Sequence, residues 1–318
     1  VVLPTANMAR QKLMARGNNS HCYKLDLYVS TLRICVVWCV TNKELIAESW
    51  LRFLRDRFNA KIDFTKYYLA YSGGKDSHFL YWFIKEYLKD DLIEIVGVNT
   101  SFELPEIRDR ILKNADTILK PKMHRNQIKE MYGIPCFTKQ QDEYIWRYQN
   151  GSRSENTMRA INGDNPIFNL NRKAKEMTLN GTLHKVSNKC CKYNKELPME
   201  EYGKLVGKKP ILGVRQSESK TRKAKYETCL HANGAFTPLY DFSDDLMDLI
   251  YEVKQIEIPG CYTYLSRTGC GGCPYGRNVE TELSLMPELQ RQKAIEFFEE
   301  SYDVLGMNYK DIQMTLKL

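Results

Sequence analysis

Tyr67-Tyr68-Leu69-Ala70-Tyr71-Ser72-Gly73-Gly74-Lys75-Asp76-Ser77-His78-Phe79-Leu80 reads as a buried strand, a glycine-centred turn and the opening of a helix. The apolar and aromatic run Tyr67–Tyr71 suits a strand covered on both faces. The two glycines let the backbone turn tightly and keep Cβ atoms out of its path. From Asp76 to about Leu88 the pattern is helical. A strand that feeds a helix through such a turn aims the first amides of the helix, and the positive end of its dipole, at one point. That point is a seat for an anion. Ser72 and Ser77 add hydroxyls and Lys75 adds a point charge. Asp76 can help hold magnesium, which carries pyrophosphate charge. The spacing is not that of a G-x-x-x-x-G-K-[ST] phosphate loop.

Working outward, Ile93 to Val98 is a second short apolar strand and Pro105 to Leu119 a helix. Gly133 to Phe137 is a third strand, and Ile211 to Val214, just after Pro210, a fourth. Strands alternating with helices predict an α/β fold with an open, mostly parallel doubly wound sheet and right-handed crossovers. This domain is expected over residues 65–286. Residues 1–64 precede it as a largely helical extension, polar and basic to about residue 24. Its apolar run Leu27 to Val40 is interrupted by Arg33, lacks a cleavage pattern and is too short to span a membrane. It is therefore a buried strand or helix. Over 43–58, Leu45, Ile46, Trp50, Phe53, Leu54 and Phe58 fall on one face of an amphipathic helix. Residues 287–318 form a tail of one or two helices, carrying Leu289, Ile295, Phe297, Phe298 and Val304 onto a sheet edge.

With 43% hydrophobic and 27% charged residues, the 318-residue chain has the composition of an ordinary globular protein. Its net charge of +8 favours anionic partners. The excess concentrates in residues 147–195, where Arg147, Arg153, Arg159, Arg172, Lys173 and Lys175 lead a run of cations that meets few acids. This stretch reads as an insertion with exposed basic loops and a short helix near 170–178. It is either plain solvated surface or a site for a nucleic acid. Ten cysteines without a secretion pattern indicate reduced thiols in the cytoplasm, some of them metal ligands. Cys270-x-x-Cys273, flanked by glycines, is a metal half-site, and Cys190-Cys191 is a second pair. Four thiolates suit iron–sulfur and zinc equally. Cys22, Cys35, Cys39 and Cys136 read as small buried residues.

The loop in its S-G-G-K-D-S form resembles the pyrophosphate loop of the ATP pyrophosphatase superfamily. Further segments resemble, in order and over about residues 65–280, the phosphoadenylylsulfate (PAPS) reductases and their relatives. They are Val98-Asn99-Thr100 with Leu104-Pro105-Glu106, Cys190-Cys191-Lys192-Tyr193-Asn194-Lys195 with Pro198, and Gly213-Val214-Arg215 with Glu218-Ser219 and Arg222. Pro238-Leu239-Tyr240, Ile258-Pro259 and Gly269-Cys270-Gly271-Gly272-Cys273-Pro274 complete the series. The resemblance implies ATP and Mg2+ on Ser72, Gly73, Gly74, Lys75, Asp76 and Ser77, with cleavage between the α and β phosphates. It implies catalytic roles for Lys75, Asp76, Lys195 and Arg215. Arg215 and Arg222 would grip an anionic substrate, as arginine forks do, at a strand end facing the ligand crevice.

The same resemblance implies a [4Fe–4S] cluster on Cys190, Cys191, Cys270 and Cys273, with zinc the alternative. Cys261-x8-Cys270-x2-Cys273 resembles the cluster segment of the sulfur-inserting enzyme of DNA phosphorothioation, which makes Cys261 an alternative ligand. The expected function is adenylation in sulfur transfer to a nucleic acid or small molecule, with a cysteine desulfurase as donor. The alternatives are a sulfonucleotide reductase that makes sulfite from PAPS or adenylylsulfate, and a non-enzymatic nucleic-acid-binding protein. The reductases use a cysteine in a C-terminal Glu-Cys-Gly segment, and no cysteine follows Cys273 in this sequence. Their altered loop also serves a nucleotide without β and γ phosphates. Both departures favour adenylation.

Overall fold

The computed structural model describes residues 10–13, 20–29, 32–218, 222–223, 226–310 and 312, those up to residue 41 by their backbone course. Most of the polar segment over 1–24, Ser219 of the arginine-bearing segment and the last residues of the tail lie outside the described residues. The described chain divides into two units. One joins the residues up to Ile62 with Val214–Cys229 and Pro238–Glu257; the other takes Asp63–Gly213, Leu230–Thr237 and the residues from Ile258 onward.

The first unit opens on strands, so the run 27–40 takes the strand of its two readings, and the helical character expected of the extension is confined, among the described residues, to its last third. Strands β1 (Arg10–Leu13), β2 (Ser20–Val29) and β3 (Leu32–Thr41) form an antiparallel sheet in that order, with Arg10 opposite Leu25 and Cys22 opposite Cys39. The cause is local: Ile34, Val36, Val37, Val40 and Thr41 are β-branched and favour a pleated surface. Helix α1 (Asn42–Lys61) follows and buries Ala47, Leu51, Leu54 and Phe58. That stripe, at i, i+4, i+7 and i+11, replaces the expected face, for Leu45, Ile46 and Phe53 are 39–47% exposed. Arg57 is buried. It lies 4.5 Å from the Phe53 ring centroid and forks onto both carboxylate oxygens of Asp241 at 2.7 Å. Lys43 pairs with Glu252 at 2.7 Å and Glu48 with Lys254 at 3.1 Å, tying α1 to the helix Asp244–Lys254. Trp50 meets the Phe242 ring edge-on at 5.3 Å. These contacts tie Pro238–Glu257 to α1 in the first unit, which also takes Val214–Cys229, so the single domain expected over 65–286 is divided between the two units.

The second unit is built on a four-stranded, all-parallel sheet of β4 (Tyr67–Tyr71), β5 (Glu94–Val98), β6 (Thr117–Leu119) and β7 (Lys209–Ile211), in the order β6-β5-β4-β7. The fold is an open α/β sheet flanked by helices. Leu69 pairs with Ile95 on one side and Ile211 on the other. Tyr67, Tyr68, Leu69 and Tyr71 are all buried, which is why β4 reads as an unbroken apolar run. Helix α2 (Lys75–Trp82), prolonged by a π-helical turn over Phe83–Leu88, buries Phe79, Leu80, Phe83 and Ile84. Each such side chain contributes about 1.5–3 kcal/mol by leaving water.

Three sequence expectations shift here. Helix α3 (Pro105–Asn114) stops before Leu119, because the Asp116 side chain accepts the Ile95 N–H at 2.8 Å and turns Thr117–Leu119 into β6. Gly133–Phe137 is no strand of this sheet; it makes a single bridge from Ile134 to Val186, and Pro135 has no N–H to extend it. The basic insertion is not a set of exposed loops. Its helices Lys139–Gln149, Glu155–Asn162 and Arg172–Leu179 pack around Cys136, Ile145, Ile161, Ala174 and Val186. The tail is one helix, Glu288–Leu305, whose Phe297 and Phe298 rings lie 5.6 and 5.7 Å from Phe102. No helix among the described residues is long and apolar enough to cross a membrane.

Candidate functional site

The Ser72–Ser77 loop joins the central strand β4 to α2. Gly73 has φ +71, and a Cβ there would stand 2.8 Å from the Ile107 carbonyl oxygen, so conformation and space both require glycine. Gly74 caps the helix. The Ser77 hydroxyl donates to the Gly74 carbonyl at 3.0 Å, accepts the Ser72 N–H at 3.3 Å and lies 3.0 Å from the Ser72 hydroxyl. The two serines expected to meet a ligand therefore brace the loop internally. Lys75 and Asp76 are half-buried on the first turn of α2.

Behind the loop, His78 Nδ1 is 2.9 Å from the Tyr71 hydroxyl, which also accepts a hydrogen bond from Asn114 Nδ2 at 3.0 Å. Burial, and then the charge of Arg110, push the His78 imidazole down to about 3. It stays neutral at pH 7 and acts as a packing residue. In front of the loop is a residue the sequence did not flag. The Lys75 backbone N–H donates to the Tyr262 hydroxyl at 2.7 Å, and that hydroxyl lies 3.0 Å from Thr268 Oγ1.

The thiols form a second group in the same unit. Cys190 and Cys191 lie on a short helical turn, Lys189–Cys191, that runs into the π-turn Lys192–Glu196. Cys270 and Cys273 sit on the glycine loop. That loop is pinned by Gly271 N–H to the Phe102 carbonyl (2.6 Å), by Gly272 N–H to Glu282 (3.0 Å), and by the Tyr302 hydroxyl to the Gly272 carbonyl. Burial pushes the Cys190 thiol up to about 12, and the charges of Cys270 and Cys191 add to it, while a hydrogen bond from Asn194 at 3.1 Å opposes. Burial raises Cys191 and Cys273 as well, with Cys270 adding to both. Lys195 is held charged, first by Cys270 and also by Glu103 and Cys191. The structure thus brings Cys190, Cys191, Cys270, Cys273 and Lys195 into one electrostatic neighbourhood. Cys261 stands apart, buried beside Glu106 and Arg110. A cleft of about 180 Å³ opens over Cys191; Lys139, Lys189 and Lys192 outnumber Glu143 and Glu196 on its walls.

Four thiols with a lysine among them are the right donors for an iron–sulfur cluster or zinc, both of which need thiolates. Among the described residues, however, no three Cys, His, Asp or Glu side chains are grouped so as to hold a metal ion. The donor chemistry fits, while the sulfurs are not gathered to metal distance.

Arg215 and Arg222 belong to the first unit. Arg215 is buried, pairs with Asp244 and donates to the Ser217 hydroxyl at 3.1 Å; Arg222 pairs with Glu218. Each guanidinium thus already faces a carboxylate. Many cations of the insertion are engaged too: Arg147 with Glu143 at 3.0 Å, Arg159 with Glu155 at 3.4 Å, Arg172 with Glu176 at 2.8 Å, and Lys175 with the Asn162 carbonyl. Comparison with protein-family models and with curated proteins gave no match to this chain.

Proposed function

We propose that the protein is an ATP-dependent adenylating enzyme of the PAPS reductase-like group, working in sulfur transfer. The phosphates of ATP lie on the Ser72–Ser77 loop with Mg2+ beside Asp76. An oxygen of the acceptor attacks the α phosphorus, the bond from that phosphorus to the bridging oxygen breaks, and pyrophosphate leaves with Mg2+. Lys75 stabilises the departing charge. The persulfide sulfur of a desulfurase-type donor then attacks the acceptor atom that bears this oxygen; the bond to the oxygen breaks and AMP leaves with it. A second thiol cleaves the remaining S–S bond, frees the thiolated acceptor and ends as a disulfide with the donor.

The observation that carries this reading is the loop: a central buried strand, a glycine at φ +71 pressed against a neighbouring carbonyl, and a helix that opens on Lys75 and Asp76. Cys190, Cys191, Cys270 and Cys273 would hold a [4Fe–4S] cluster, which when bound supplies a site for sulfur. Lys195 would balance their charge, and the net-positive cleft over Cys191 suits an anionic sulfur donor. Thiols outside any disulfide, Cys136 and Cys190 among them, suit a reducing compartment such as the cytoplasm. A nucleic acid is the proposed acceptor class, on the strength of the chain's positive charge.

The test is the position of ATP cleavage. Protein incubated with ATP and with DNA, RNA or small acceptors should release pyrophosphate, and AMP as well once sulfide is added, and Lys75→Ala should abolish both. ADP and phosphate as products would contradict the reading.

A further inference from the structure

The Tyr262 hydroxyl occupies the place on the loop where an anionic oxygen belongs. Lys75 begins α2, so its N–H is one of the donors a helix start leaves without an internal partner. In the structure that N–H is already taken, at 2.7 Å, by the phenol oxygen of Tyr262. The contact is close on every side. A Cβ on Gly74 would stand 3.3 Å from both the Tyr262 hydroxyl and Thr268 Oγ1. With Lys75 donating to it, the phenol is free to give its own proton to Thr268, 3.0 Å away. Burial, the largest influence, raises the Tyr262 phenol above its ordinary range. The oxygen on the loop is therefore neutral at pH 7, a weaker acceptor than an ionised phosphate.

The segment that carries Tyr262 is a short turn closed by the Tyr262 N–H on the Pro259 carbonyl at 3.0 Å and anchored by the buried Cys261, whose N–H donates to Glu106 Oε2 at 3.0 Å, and by the buried Leu265. Thr263, Tyr264, Ser266, Arg267 and Gly269 are exposed.

We infer that Tyr262 is the specificity gate of the phosphate seat: its hydroxyl stands in for a phosphate oxygen on the Lys75 amide, and only a ligand bearing an oxyanion displaces it. This rests on the reading of the loop as a nucleotide site and adds to it a residue and a rule of selection. A phosphorylated ligand regains at that amide a charge-assisted bond stronger than the one it breaks. A nucleoside without phosphates gains nothing by displacing Tyr262. The Thr268 hydroxyl positions the gate by taking the phenol proton.

The test measures binding of ATP, inorganic pyrophosphate and adenosine to the full chain by calorimetry, in wild type, Tyr262→Phe and Thr268→Val. Tyr262→Phe removes the competing oxygen and should tighten ATP and pyrophosphate by about three- to tenfold, the value of one neutral hydrogen bond, and leave adenosine unchanged. Thr268→Val should tighten the same two ligands by less, and it keeps the test open if Tyr262→Phe folds poorly. In ligand-free protein, hydrogen exchange at the Lys75 amide should speed up in Tyr262→Phe. Equal tightening of adenosine would mean a general loosening and would overturn the gate. Unchanged or weaker ATP binding in both variants, with wild type binding normally, would overturn the gate and spare the nucleotide site. Failure of all three proteins to bind ATP or pyrophosphate would overturn the nucleotide site, and the gate with it.

Discussion

The phosphate loop and the thiol group lie in one unit and are built in opposite ways. The loop is local. Its strand, turn and helix are contiguous in sequence, and Ser72, Gly74 and Ser77 brace one another at 3.0–3.3 Å. Its backbone course is complete before any ligand arrives, and a ligand has only to displace Tyr262 from the Lys75 amide. The thiol group is assembled from segments far apart in the chain, and its members raise one another's affinity for protons. Its sulfurs are not gathered to metal distance among the described residues. A preorganised anion seat needs little from its ligand, whereas a thiolate site draws part of its folding from the metal.

That contrast is broken first by substitutions of the largest effect. Gly73→Ala should be the most damaging change in the loop. It places a Cβ 2.8 Å from the Ile107 carbonyl at a φ of +71, and the strain should cost about 1–3 kcal/mol before the clash is counted. Chemical denaturation read by far-UV circular dichroism checks it. A wild-type midpoint would mean the loop is not the tight object described. By contrast, Cys270→Ser should leave the metal-free protein near wild-type stability. In protein purified without oxygen it should remove bound iron and sulfide and lower the melting temperature toward that of the metal-free form. Iron and sulfide analysis beside calorimetry reads both. Stoichiometric zinc without visible absorption would make the thiol group a structural zinc site.

A pH titration sharpens the contrast. His78, behind the loop, has its folded value depressed to about 3 against 6.5 for an unperturbed imidazole. The unfolded chain therefore binds a proton below pH 6.5 that the folded chain refuses. Stability from this group is complete above that pH and is lost as the pH falls toward 3, at up to about 1.4 kcal/mol per pH unit. His78→Asn should remove that part of the slope between pH 4 and 6. An unchanged slope would mean that His78 is not the neutral, buried partner of Tyr71.

Much of the loop was legible in sequence because its causes are local. Tyr67–Tyr71 announces a doubly covered strand, and Gly73 announces a backbone only glycine adopts. The thiol pairs were legible as pairs; that they converge, while Cys261 goes to Glu106, is decided by packing. Tyr262 was invisible because its only sign is a contact across the chain to Lys75. In the insertion the helix Arg172–Leu179 was legible near its expected place, while charge hid Glu155–Asn162. Thr138, Ser154 and Asn171 accept the amides of Gln141, Thr157 and Ala174, start signals that outrank a count of lysines. Arg215 and Arg222 had an alternative visible in sequence, since Glu218 stands between them and Asp244 is an acid within reach of the fold.

The smallest effect concerns the insertion as a partner surface. Arg172, Lys173 and Lys175 changed together to Gln should reduce the slope of log affinity for DNA against log salt by about one, and by no more than about three. Because Arg172 and Lys175 are already engaged, the loss in affinity at physiological salt should be modest. A slope unaltered by the triple change would mean that nucleic acid, if it binds, uses another face.

The central claim is that the Ser72–Ser77 loop holds the phosphates of ATP, and equilibrium binding tests it most directly. Calorimetry of ATP with Mg2+ should give saturable binding to the wild-type chain. Lys75→Ala should weaken it by about 10- to 150-fold, the value of a charge-assisted contact of 1.5–3 kcal/mol, with the melting temperature unchanged. ATP binding of equal strength in wild type and Lys75→Ala would contradict the account.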